Sequence, residues 1–130
     1  MLLNVKVLTY LSAHTMSVSR KESPICPIDA MLGVVDGRWK GTILWRLVNG
    51  PKRTSELRRS IPPITERMLI RHLHNLVSDG VLLRREERSI PPCVRYSISP
   101  YGRTLIPVLE AMCSWGGKHL RRRVTVPLGR

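Results

Sequence analysis

Acidic residues are scarce in this chain. Nine Asp and Glu stand against 22 Lys and Arg in 130 residues, a formal net charge of +13 at pH 7. Such an excess draws polyanions and speeds encounter with them. Nucleic acid is the first candidate partner and an anionic membrane surface the second. Phenylalanine is absent, so the core is expected to be aliphatic, supplemented by Trp39, Trp45 and Trp115. No apolar run reaches the roughly 18 residues that cross a bilayer as a helix, so no membrane span is expected. Three cysteines, an odd number with no CxxC pair, argue against a disulfide scaffold and fit a reducing cytoplasm. Glycine-rich phosphate loops and nucleophile elbows are missing too. The histidines His14, His72, His74 and His119 are scattered, and His72 and His74, two apart on a helix, point to different faces. Neither an enzyme, a metal site nor a cofactor is expected. The length suits one domain.

What is present centres on residues 54–96. The order is a short helix, Thr54–Ser60, a turn at Ile61-Pro62-Pro63-Ile64, and a longer helix over 65–79. Two strands follow, 81–86 and 93–99, joined through Ser89-Ile90-Pro91-Pro92. That order is expected to give a mainly α fold with a small β-hairpin, a winged helix-turn-helix, whose second helix enters the DNA major groove. Thr65 is a good N-cap, Glu66 suits the positive end of the helix, and Gly80 suits its close. Leu69, Leu73, Leu76 and Val77 fall on one side of a 3.6-residue period, which must be the core side. Arg67, Arg71, His74 and Asn75 occupy the other. Arg can fork onto guanine and Asn onto adenine; a solvated basic face on an ordinary helix is the plain alternative.

Upstream, Cys26-Pro27 leads into a helix over 28–35, ended by Asp36-Gly37. A second helix is expected over 38–48, ended by Asn49-Gly50-Pro51. Lys52 and Arg53 follow in a loop, as candidate phosphate contacts, and Thr54 is expected to cap the next helix. Arg58 faces outward or toward phosphates. Arg84, Arg85, Arg88 and Arg95 surround the hairpin tip, with Arg84, Arg88 and Arg95 placed for phosphates or the minor groove. Ser99-Pro100 opens the last helix, with Pro107 expected to kink it. Its wide apolar face, Leu105, Val108, Leu109, Met112 and Trp115, with Ile25, Met31 and Leu32 from the other end, is expected to form a dimer interface about a two-fold axis. The alternative is that this helix folds back on its own domain. Residues 1–22 are read as an N-terminal extension, with residues 1–15 as a start-site extension that is frayed or peripheral. Residues 23–120 are the winged domain with its dimerisation helix, and 121–130 a loose basic tail.

Pieces between Cys26 and Trp115 match a known pattern in order: Cys26-Pro27, Asp36-Gly37-Arg38-Trp39, Ile43-Leu44-Trp45-Arg46-Leu47, Asn49-Gly50-Pro51 and Arg53-Thr54-Ser55-Glu56-Leu57-Arg58. Ile64, Leu69, Leu73, Leu76, Asp79-Gly80, Arg84, Pro91-Pro92, Val94, Tyr96, Ser97 and Gly102 continue it. The chain thereby resembles the HxlR-type regulators, a MarR-related branch of bacterial winged-helix repressors and activators. Met68 and Ile70 stand where that family usually has small polar residues near DNA, and Arg95 where it usually has Glu. Base preference therefore does not carry over, and Met68 or Ile70 could meet thymine methyls or pack inside. Cys26 precedes a helix start and has Arg20 and Lys21 upstream, a setting that favours thiolate. The resemblance implies sensing of oxidants or electrophiles there through a disulfide between subunits; an inert core thiol is the alternative. Cys113, on the expected dimer helix, is a candidate resolving partner, against the reading that Cys93 and Cys113 are inert. The resemblance implies a homodimeric regulator on an inverted repeat of double-stranded DNA, its effector unknown. A winged-helix protein-interaction module without specific DNA binding is the second reading.

Overall fold

The computed structural model describes residues 26–125, which belong to two compact units divided between Asp36 and Gly37. The first holds one described helix, α1, Pro27–Val35. Proline fits the first turn, where its missing N–H has no partner to lose. Cys26 takes the N-cap position, and its carbonyl accepts from the Ala30 N–H at 3.0 Å. Ile25 and the extension over residues 1–22 lie outside the described residues.

The second unit is a winged helix. Its helices are α2 (Lys40–Leu47), α3 (Thr54–Ser60), α4 (Glu66–Ser78), α5 (Pro100–Arg103) and α6 (Ile106–Thr125). Its strands are β1 (Lys52–Arg53), β2 (Leu82–Glu87) and β3 (Cys93–Ile98), antiparallel in the order β1-β3-β2. Ile43, Leu44 and Leu47 of α2, Leu57 of α3, Leu69, Leu73 and Leu76 of α4 and Leu82 of β2 are fully buried. Tyr96 and Ile98 close the core from the sheet, and Ile61 and Ile64 from the turn between α3 and α4. Each such side chain contributes about 1.5–3 kcal/mol over an exposed one, so this core fixes how α3 and α4 sit against α2 and the sheet.

Several expectations change here. Only Trp39 of the three tryptophans joins the core; Trp45 and Trp115 are exposed. Helix α2 starts at Lys40, not at Arg38, because Gly37 takes a left-handed φ of 76° and residues 37–39 form a turn. The Arg38 guanidinium stacks over the Trp39 ring there, 4.6 Å from its centroid. Lys52 and Arg53 form a strand, not a loop: Lys52 pairs with Tyr96 and Arg53 with Arg95, so the hairpin becomes three-stranded. Thr54 does not cap α3. Arg53 holds the N-cap position, and its N–H donates to the Glu56 carboxylate at 3.4 Å.

Pro107 breaks the C-terminal helix instead of kinking it. It removes the N–H that would continue the ladder, so α5 stops at Arg103 and α6 restarts at Ile106. Across the break Thr104 and Leu105 donate to the Tyr101 and Gly102 carbonyls at 3.1 and 3.0 Å. Helix α6 then runs through Gly116 and Gly117 to Thr125, so Arg121, Arg122 and Arg123 are helical and not part of a loose tail.

Candidate nucleic-acid interface

Helix α4 begins as its sequence requires. The Thr65 hydroxyl accepts from the Met68 N–H at 3.2 Å, satisfying a donor that the helix itself cannot. Gly80 closes the helix at a φ of 79°, its N–H bonded to the Val77 carbonyl at 2.9 Å. Between these ends, Leu69, Leu73 and Leu76 are wholly buried, while Arg67, Arg71, His74 and Asn75 are all exposed. The four polar side chains therefore share one side of a helix whose opposite side is held by the core. Met68 is half-buried, and Ile70 is exposed on the flank that faces the sheet.

A furrow separates α3 and α4 from the β2–β3 wing. Toward the wing tip it is bordered by Arg53, Arg58 and Arg59 on one bank and by Pro91 and Pro92 on the other, enclosing about 570 Å³. It continues past Thr54, Glu66 and Val94 into a stretch of about 410 Å³ lined by Ile70, His74, Arg84 and Tyr96. Of the basic groups expected near phosphates, Arg53, Arg58 and Arg84 line this furrow, while Lys52, Arg88 and Arg95 do not. Sequence reasoning missed this furrow because it depends on the sheet register. Period-2 patterning alone does not say which wing residues face α4.

The wing arginines divide by partner. Arg95 is bound internally, its Nε 2.5 Å from a Glu87 carboxylate oxygen. Glu87 also accepts from the Cys93 thiol at 3.4 Å. Arg84 bonds Glu86 at 2.8 Å. Hydrogen bonding to Glu86 first, and to Tyr96 second, pushes the Arg84 guanidinium above its ordinary range, so it stays charged. Arg58 pairs only loosely with Glu66, 3.9 Å apart with both side chains more than half exposed, an arrangement worth at most about 1 kcal/mol. Arg88 is exposed where the wing loop leaves β2, beside a fully exposed Ile90. Ser89 stiffens that loop by donating to the Pro91 carbonyl at 2.7 Å.

Away from the furrow, Val108, Met112 and Trp115 form an exposed stripe along α6, with Trp115 stacked on His119 at a centroid distance of 5.0 Å. Leu109 is buried within the chain and Leu105 half-buried. In the first unit Cys26 is exposed and Met31 half-buried. Cys113 is exposed as well. Among the described residues no group of three or more His, Cys, Asp or Glu could hold a metal ion, and no helix is long and apolar enough to cross a membrane.

Comparison with known proteins agrees with this geometry. A family model described as HxlR-like helix-turn-helix matches residues 34–124. YkvN of Bacillus subtilis strain 168, described as an uncharacterized HTH-type transcriptional regulator, is 46% identical over 92 residues, which cover 71% of this chain and 78% of that protein. The redox regulator HypR in its reduced form is similar in structure, with a TM-score of 0.71 at 39% identity over 76% of this chain and 96% of that one. The reduced form of the transcriptional regulator YodB from B. subtilis gives a TM-score of 0.63 at 30% identity, covering 70% of this chain and 90% of that one. A helix with one buried and one basic side, a wing across a furrow from it, and these relatives lead to one conclusion: the chain belongs to the HxlR-like helix-turn-helix family and is a transcriptional regulator of the helix-turn-helix type.

Proposed function

We propose that this regulator acts in the cytoplasm as a homodimer on an inverted-repeat operator, with one α4 helix per subunit in successive major grooves about 34 Å apart. The observation that carries the reading is the exposed row Arg67, Arg71, His74 and Asn75 on a helix whose other side is fully buried. Arg71 and Arg67 supply forked donors for guanine, Asn75 a paired donor and acceptor for adenine. Thr65 and half-buried Met68 set the start of the helix. Lys52, Arg53, Thr54, Arg58 and Arg88 hold phosphates along the furrow or the adjacent minor groove. Arg84 and Arg95, engaged with Glu86 and Glu87, chiefly hold the shape of the wing. The dimer is supported by the exposed stripe of Val108, Met112 and Trp115, which a second copy would cover; buried Leu109 and half-buried Leu105 back it from within.

Selection of bound duplexes from a random pool by the full-length protein tests this. An inverted repeat with half-sites one helical turn apart is expected. Weak retention of all sequences alike would instead favour a protein-interaction module.

A redox or electrophile response is part of the proposal. Its support is the exposed thiol of Cys26 together with similarity to HypR, itself called a redox regulator. Diamide is expected to release the wild-type protein from its selected site and to leave Cys26→Ser bound. Equal release of both proteins would remove the role of Cys26.

A further inference from the structure

We infer that Ile70 reads the 5-methyl group of a thymine, making it a specificity-determining residue of α4. The inference rests on the reading of α4 as the groove-reading helix. At about 100° per residue, Ile70 lies about 40° around the axis from His74 and about 60° from Arg67. It therefore belongs to the same outward side. It is 50% exposed and is the large apolar side chain that α4 leaves open to solvent. Met68, about 160° away around the axis, is half-buried and lies on the opposite flank.

An exposed isoleucine alone means little. Its neighbours give this one a meaning. Arg67, Arg71, His74 and Asn75 carry the hydrogen-bonding groups that match purine and cytosine edges. Ile70 carries none. The apolar group that a base edge presents in the major groove is the thymine methyl. Ile70 also borders the furrow, with His74 beside it and Val94 and Tyr96 on the wing bank, so it stands at the edge of the reading side next to the wing. β-Branching leaves an isoleucine in a helix essentially one χ1 rotamer, so its γ-methyl is held in place before DNA arrives.

The test uses the full-length protein and its selected duplex. Each thymine is replaced singly by deoxyuridine, which lacks the methyl and keeps every hydrogen-bonding group. One thymine per half-site is expected at which uracil weakens wild-type binding about fourfold, the equivalent of one buried methylene-sized group at ~0.8 kcal/mol. Ile70→Ser should bind thymine and uracil equally there, and Ile70→Val should retain the discrimination. Thermal unfolding of both variants checks that the fold is kept. Wild-type indifference to uracil at every position, a selected site without thymine, or unchanged discrimination by Ile70→Ser overturns the role of Ile70 while leaving α4 as the reading helix. A protein that selects no sequence at all overturns both.

Discussion

Thr65 shows how much one side chain decides. Its hydroxyl takes the Met68 N–H and so fixes where α4 starts, and with it the rotation of Arg67 and Arg71. Thr65→Ala is expected to lower stability by about 1 kcal/mol, read as a lower midpoint in urea at unchanged slope. A larger loss of DNA affinity than of stability would show that the cap also orients the reading side. Thr65, Gly80 and the leucines of α4 were legible in the sequence, because capping and a 3.6-residue period are local. The partners of Arg84 and Arg95 were not. Sequence counts four arginines near the wing tip. The cross-strand register that sets Arg95 beside Glu87 and Arg84 across from Tyr96 is a property of the folded hairpin. Trp45 and Trp115 were misjudged for a related reason: with no Phe in the chain, tryptophan looked like core material, yet Leu and Ile fill the space.

At the scale of elements, the junction of α4, β2 and α5 is tightly packed around Ser99 and Gly102. The Ser99 hydroxyl donates to the Gly80 carbonyl at 2.6 Å and accepts from the Gly102 N–H at 2.8 Å. Gly102 lies so close to Val81, the residue before β2, that a Cβ there would overlap the Val81 carbonyl oxygen. Gly102→Ala is therefore expected to cost about 3 kcal/mol or more, the upper end of overpacking, and to lower Tm by more than ~10 °C. A shift of only a few degrees in a calorimetric scan would mean that the sheet end yields easily. Element order was readable in advance, since turns and caps punctuate it. Two features were not. The two-residue β1 exists only because β3 offers it an edge. The break at Pro107 depends on Leu105 and Thr104 finding carbonyls three residues back.

For the whole molecule, charge and the proposed two-fold symmetry are the governing quantities. A net charge of +13 sets a strong salt dependence for any DNA complex, and each neutralised phosphate contributes about 0.9 to the slope of log affinity against log salt. In the proposed dimer, the apolar surface on α6 is the interface. Met112→Glu with Trp115→Glu is expected to give monomers in sedimentation equilibrium and to weaken binding to the inverted repeat far more than to a single half-site. A double variant that stays dimeric would place the interface elsewhere. Dimerisation was suggested by the sequence only as excess apolar surface, because a stripe of Val108, Met112 and Trp115 does not name what covers it.

The central claim is that the guanidinium side of α4 reads bases while the β1 lysine only holds the backbone. The most direct measurement is the affinity of wild type, Arg71→Ala and Lys52→Ala for the selected duplex and for random DNA across a salt series. Arg71→Ala should lose about 1–3 kcal/mol on the selected duplex alone, and Lys52→Ala should weaken both duplexes alike with a slope lower by about one. Equal losses for both variants on both duplexes would contradict the account.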